Sequence, residues 1–239
     1  MSVNPITFTK ENIDLYLKEL AKQFRKLNGA QMPAEMILIG GASILINYGF
    51  RDSTSDIDAL IRASSAMKDA IRYVSDKMDL PTGWINEDFR HTSSYSPNLI
   101  KYSKPYRLYS NVLHIRTITA EYLVAMKLMA FRSYKHDISD IVGILIEHQQ
   151  LGTPLTFDMI DHAVNDLYGG WDSLPEGAQE RLQTILSTSD LTALYHAFSE
   201  GESTAKEALM TFEQEYPNVL KEDNLQDVLG HLLSRGQDE

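Results

Sequence analysis

Apolar residues recur at three- and four-residue spacing from Ile13 through Tyr16, Leu17, Leu20 and Phe24 to Leu27, which predicts an amphipathic helix over residues 9–27 with its start at Thr9 or Lys10. Pro33 ends that pattern. Residues 36–39 then form a short apolar run of strand length that stops at Gly40-Gly41, and a second helix is expected over residues 42–48 with Gly49 just past its end. A polar loop, residues 51–55, leads into a strand over 56–61. The chain therefore opens strand, Gly-Gly turn, helix, loop, strand.

Residues 65–78 read as a further helix, followed by turn chemistry at Pro81-Thr82-Gly83. Periodicity fails from 86 to 109, a polar stretch rich in Ser and Tyr with prolines at 97 and 105, so irregular surface structure is expected there. Residues 111–118 alternate as a strand does. Thr119 can cap a nearly all-apolar helix from Ala120 to about Arg132, and residues 137–148 carry a stripe of Ile138, Ile141, Val142, Leu145 and Ile146. After Gly152-Thr153-Pro154 no strand signal recurs. Helices are expected over 157–168, 175–186, 191–198, 205–216 and 225–233. This pattern gives an α+β chain with a small mixed sheet flanked by helices and a C-terminal all-helical region, divided into a core over 1–150 and an acidic helical domain over 151–239.

Composition narrows the chemistry. The 239 residues contain no cysteine, which removes disulfides and thiolate metal sites and leaves only oxygen or imidazole ligands. The seven histidines show no metal spacing, and Gly-x-Ser-x-Gly is missing. No apolar run approaches the length of a membrane helix and the first residues do not resemble a signal peptide, so a cytoplasmic protein with no membrane partner is expected. The net charge of −11 is uneven. Residues 1–150 carry 18 basic against 16 acidic residues, a balance of +2, whereas residues 151–239 carry 4 against 17, a balance of −13. Eight of the basic residues fall between Arg90 and Lys135 with Glu121 as the single acid there, and a polyanion can be attracted to that part despite the acidic total. Tyr102, Tyr106 and Tyr109 interleave with Lys101, Lys104 and Arg107, a pattern that suits base stacking and phosphate contact.

The most specific chemical signal is Gly40-Gly41-Ala42-Ser43 followed by Asp56-Ile57-Asp58. Residues two apart on a strand share a face, so the two carboxylates converge while Ile57 turns away. Like charges held together call for a hard cation with oxygen ligands. The glycines let a phosphate approach the backbone, the start of the following helix offers unpaired N–H groups, and Ser43 adds a hydroxyl. Lys127, in an otherwise apolar helix, requires an anion, which a triphosphate or Asp137 can supply.

This arrangement resembles the signature of the polymerase-beta-like nucleotidyltransferase superfamily. A second block, residues 123–141 with Lys127, Arg132, Asp137 and Asp140, is similar to the Lys-x-x-x-x-Arg and Arg-Asp-x-x-Asp motifs of bacterial nucleotidyltransferases from abortive-infection toxin–antitoxin pairs, with His136 standing where the family often has Arg. The resemblance implies transfer of NMP from an NTP to a hydroxyl on RNA, tRNA-like, or on protein. It implies Asp56, Asp58, Lys127 and Asp137 as catalytic residues, Gly40, Gly41, Ser43, Lys127 and Arg132 as NTP-binding residues, and Asp56 and Asp58 as ligands of Mg²⁺ or Mn²⁺. Many members carry a third carboxylate on a later strand, where this chain has Asn111, His114 and Arg116; Glu87, Asp88 and Asp137 are the substitutes at hand. The alternative is a degenerate nucleotidyltransferase fold that acts as a nucleotide sensor or as a protein-interaction module, one half of a toxin–antitoxin pair with a cognate partner.

Overall fold

A computed structural model describes residues 7–221 and 224–235. Thr9 starts helix α1 (Lys10–Asn28) with a capping box: its hydroxyl accepts from Asn12 N at 3.4 Å, and Asn12 Oδ1 accepts from Thr9 N at 2.8 Å. Ile13, Leu17, Leu20 and Phe24 are buried as the periodicity predicts, but Leu27, in the last turn before Gly29 at φ +78° ends the helix, is exposed.

Among the described residues the sheet has five strands, β1 (Ala34–Leu38), β2 (Ile57–Arg62), β3 (Ile85–Asn86), β4 (Ser103–Tyr109) and β5 (Leu113–Ile118), in the order β3-β2-β1-β5-β4. It is mixed. β1 runs antiparallel to β2 and parallel to β5, while β3 is parallel to β2 and β4 antiparallel to β5. Alternate residues of the central strands, Met36 and Leu38, Ile57 and Ala59, Leu113 and Ile115, join Leu17, Leu20, Phe24 and Trp84 in one apolar cluster. Ile37 and Leu60, paired across β1 and β2, face the other way and are also buried, so the central strands are covered on both sides. Between β1 and β2 lies the short helix α2 (Gly40–Asn47), and α3 (Ala66–Met78) follows β2. Lys77 of α3 donates to Glu19 of α1 at 2.7 Å, and that hydrogen bond pulls the Glu19 carboxyl down to about 2.

The irregular stretch expected over 86–109 is only partly so. It holds 3-10 turns at Asp88–His91 and Pro97–Tyr102 and then the strand β4, which tolerates Pro105 because it is an edge strand paired on one side only, with a register shift between Pro105 and Arg107.

Beyond β5 come α4 (Ala120–Ala130), α5 (Asp137–Gln150), α6 (Phe157–Tyr168), α7 (Ala178–Ser187), α8 (Leu191–Glu215) and α9 (Leu225–Arg235). The chain divides into two compact units, and neither is continuous in sequence. The first runs to Met126 and includes Asp158–Leu174; the second comprises Lys127–Phe157 and the chain from Pro175 onward. Residue 150, at the end of α5, thus lies inside the second unit. In the first unit α6 clasps the 3-10 region: Asn98 Nδ2 donates to Asp166 O at 2.9 Å, and Tyr168 OH donates to Ser94 O at 2.8 Å.

In the second unit the two helices expected over 191–198 and 205–216 are one, α8, which runs straight through Gly201. A glycine inside a helix costs about 1 kcal/mol. Packing of Ala205 and Leu209 on Leu229 of α9 and the buried Glu202 offset it: Glu202 Oε1 accepts from Ile138 N at 2.9 Å and Ser139 N at 3.3 Å, and the Ser139 hydroxyl donates to its other oxygen, so the start of α5 is capped by a carboxylate from α8. Among the described residues no helix is long and apolar enough to cross a membrane.

Candidate functional site

The turn after β1 is built around Gly40. Its φ of +51° is a left-handed conformation that side chains disfavour. Ile39, the residue before it, donates its backbone N–H to Asp58 O at 2.9 Å, continuing the β1–β2 ladder past Leu38 and Ala59. A Cβ placed on Gly40 would stand 3.8 Å from Asp58 Oδ2, so this carboxylate and the glycine turn adjoin. Helix geometry leaves the first N–H groups of α2, those of Gly40, Gly41 and Ala42, without intrahelical acceptors, and Ser43 N is the first to reach back, to Ile39 O at 3.3 Å. Backbone donors and a carboxylate therefore share one turn.

Asp56 stands just before β2 and is exposed, with Ser55 Oγ donating to its Oδ1 at 3.3 Å. Ile57 between the two aspartates is 0% exposed and joins the core, so Asp58, the next residue on β2, faces the other side of the strand, whereas Asp56 precedes it. The loop that carries Asp56 is pinned by an isolated bridge: Phe8 N donates to Thr54 O at 2.8 Å and Thr54 N to Phe8 O at 2.9 Å. Phe8 is itself buried, its ring stacked on Trp84 with 6.2 Å between centroids.

Gly41 is glycine for a reason that phosphate access alone does not supply. A Cβ there would come within 2.6 Å of Thr54 Oγ1 and 3.1 Å of Arg51 Nη2. The loop before Asp56 is packed onto the start of α2, and only a residue with no side chain fits beneath it. Arg51 was not singled out by the sequence, where one arginine in a polar loop looks like any solvated charge.

Ser43 departs from expectation. It is 0% exposed, and its Oγ accepts from Ile118 N at 3.2 Å, tying α2 to β5. The hydroxyl expected to meet phosphate is on the inner face of its helix, because α2 packs on both β2 and β5. Glu87, a candidate third carboxylate, accepts from Ile61 N at 3.1 Å and from Arg90 Nη2 at 2.8 Å, so its Oε1 is engaged with backbone and guanidinium. Among the described residues no group of three or more His, Asp or Glu side chains is placed to hold a metal ion. The Asp58 carboxylate beside the Gly40 turn suits a hard divalent cation that takes its remaining oxygens from substrate phosphate and water.

The tyrosines do not form an open stacking surface. Tyr102 stacks on Tyr122 at 3.8 Å, and Tyr122 OH donates to Asp166 Oδ2 at 2.6 Å. Tyr109 is buried with its hydroxyl on Asp14, Arg107 pairs with the same carboxylate at 2.7 Å, and Tyr106 packs against the core. Burial pushes the Tyr109 and Tyr122 phenols up, reinforced by the adjoining carboxylates. These rings hold β4 and α6 in place.

Within the second unit the other expected residues come together. Lys127 Nζ lies 2.8 Å from Asp137 Oδ1 and 2.7 Å from Asp140 Oδ2, and Arg132 Nε lies 2.8 Å from Asp137 Oδ2. The anion that Lys127 requires is thus supplied by α5. Burial alone would raise the Asp137 carboxyl, but the charge of Lys127 and the hydrogen bond from Arg132 outweigh it and hold the group well below the usual carboxylate range.

Residues 16–169, more than half of the chain, match the model of a family described as nucleotidyltransferase of unknown function (DUF6036). The match takes in all five strands and both aspartates, and it ends before α7. No curated protein and no solved structure matches the chain.

Proposed function

The chain belongs to this family of nucleotidyltransferases, and from that premise we propose that it transfers an NMP group from an NTP to a hydroxyl acceptor, with Asp56 and Asp58 holding a divalent cation and the start of α2 receiving the phosphates. The observation that carries this reading is the contact between the Gly40 turn and the Asp58 carboxylate, 3.8 Å from where a Cβ would stand. In this reading it brings a carboxylate that would bind metal beside backbone groups that would bind phosphate. A divalent cation held by the two aspartates would neutralise phosphate charge. The protein's own part is positioning: the backbone N–H groups of Gly41 and Ala42 receive the incoming anion, and the buried Ile57 and Ala59 turn Asp58 to the other face of β2. The acceptor oxygen bonds to the α-phosphorus, the bond to pyrophosphate breaks, and the hydroxyl proton passes to solvent.

In this reading Lys127, Arg132, Asp137 and Asp140 form a buried ion-pair cluster at the start of α5 in the second unit. The resemblance of residues 123–141 supports a toxin–antitoxin setting, with RNA or a protein side chain as acceptor. One observation favours a second reading, NTP binding without transfer: among the described residues no third carboxylate joins the two aspartates. The first test is calorimetric titration of ATP in excess Mg²⁺ into the whole protein. Saturable binding that disappears in EDTA is expected. Binding that is indifferent to the chelator would refute the roles given to Asp56 and Asp58.

A further inference from the structure

Resting on the nucleotidyltransferase reading, we infer that Arg51 is a triphosphate-binding residue, which adds a fixed positive charge to the Gly40–Asp58 turn and makes the site prefer tri- over monophosphates. Three observations lead there. The guanidinium lies on the backbone of Gly41, with Nη2 at 3.1 Å and Cζ at 3.4 Å from the position a Cβ would take. Consecutive residues of one turn therefore face opposite charges, Gly40 the Asp58 carboxylate and Gly41 the Arg51 guanidinium. That is the charge pattern a metal–triphosphate complex presents in reverse.

Second, Arg51 is the one lysine or arginine between Gly40 and Asp58. A triphosphate carries more negative charge than one divalent cation cancels, and two aspartates add to the excess. The partial charge at the start of an eight-residue helix is small. A full positive charge beside it changes the balance, and the planar fork of arginine matches phosphate oxygens two at a time.

Third, the side chain is held in place. Arg51 is half-buried and its Nε donates to Ser53 O at 3.0 Å, while Thr54, three residues on, is buried and locked to Phe8 by two backbone hydrogen bonds. The Nε bond ties the guanidinium to its own loop. Less rotamer entropy is then lost when phosphate binds.

A residue that only pinned the loop through Ser53 would behave differently, and the experiment separates the two. Whole wild-type, Arg51→Gln and Arg51→Lys proteins are titrated with ATP, AMP and inorganic tripolyphosphate in excess Mg²⁺, with folding followed by circular dichroism. Arg51→Gln should weaken ATP and tripolyphosphate by roughly 10- to 100-fold and AMP far less, the range expected for a hydrogen bond to a charged group. Arg51→Lys should recover part of the loss, because it keeps the charge and loses the fork. An unchanged ATP affinity in Arg51→Gln, or an equal loss for ATP and AMP with no recovery in Arg51→Lys, overturns the assignment. Should Arg51→Gln not fold, the ratio of ATP to AMP affinity in Arg51→Lys decides: a ratio below that of the wild type supports the role, and an unchanged ratio overturns it. Failure of the wild-type protein to bind ATP at all would instead overturn the nucleotidyltransferase reading, and this one with it.

Discussion

Replacing Asp58 by asparagine is expected to lower NMP transfer about a thousandfold, the loss typical of removing a preorganised charge from a reacting phosphoryl or acyl centre. The change is nearly isosteric, so the carboxylate's shape beside Gly40 is kept while its charge is lost. Asp58 lies in the β2 ladder between a buried Ile57 and a buried Ala59, and its backbone oxygen accepts from Ile39 whatever the side chain. The variant should therefore keep its circular dichroism spectrum and unfold cooperatively. Glu35→Gln is the matched control. Glu35 is on β1, paired with Arg62 at the other end of the β1–β2 ladder, and its carboxylate is already engaged with Arg62 and Arg116. Transfer should survive that change. Rates measured with acceptor and NTP both saturating would show whether the effect is on turnover; equal rates for wild type and Asp58→Asn would remove Asp58 from the chemistry.

The second large effect is on stability. Lys127→Met is expected to destabilise the protein by about 3–5 kcal/mol, because it removes the ammonium that both Asp140, 2% exposed, and Asp137, 0% exposed, face, leaving Asp137 only Arg132. Removing one partner of a buried pair costs far more than the pair is worth, since the remaining charge has no water to turn to. In a chain of this size a loss of that order lowers the unfolding midpoint by roughly 10 °C. Arg132, still one-third exposed, should matter less. The pH dependence has a defined sign. Folding depresses the Asp137 carboxyl, so its stabilising contribution is present above the unfolded value near 4 and is lost as pH falls through the lower folded value. The wild-type midpoint should decline on acidification below about pH 5, and Asp137→Asn should start lower and decline less. Thermal unfolding of the three proteins between neutral and acid pH checks both points; a Lys127→Met midpoint equal to the wild type would contradict the buried pairing.

How much of this was legible in the sequence differs from element to element. The Gly40-Gly41 turn and the strand that begins at Ile57 could be read because period two and glycine placement are local signals, though the strand starts one residue later than expected and leaves Asp56 in the loop. Lys127 was legible too, as a charge in an apolar helix that must find an anion. Ser43 was not, because which side of a short, almost wholly apolar helix faces the sheet depends on β2 and β5 together. Strand β4 hid behind Pro105 and a run of polar residues, since an edge strand needs only one row of backbone hydrogen bonds and shows little apolar alternation. The tyrosines read as a stacking surface, but their partners, Asp14 and Asp166, lie far away in sequence. Gly201 looked like a break because the packing that carries α8 through it comes from α5 and α9. The discontinuous units left no local trace at all, for nothing near residue 158 announces that α6 returns to the first unit. Arg51 is the instructive omission: its place is announced only by Gly41, whose missing side chain makes room for it.

Incubating the whole protein with Mg²⁺, total tRNA or candidate protein acceptors, and ATP labelled in parallel at the α- or the γ-phosphate tests the central claim most directly. Label from the α-position should appear covalently on the acceptor while γ-label leaves as pyrophosphate. Acceptor labelled from the γ-position, or α-label transfer undiminished in Asp58→Asn, would contradict a nucleotidyl transfer organised around the Gly40 turn and the Asp58 carboxylate.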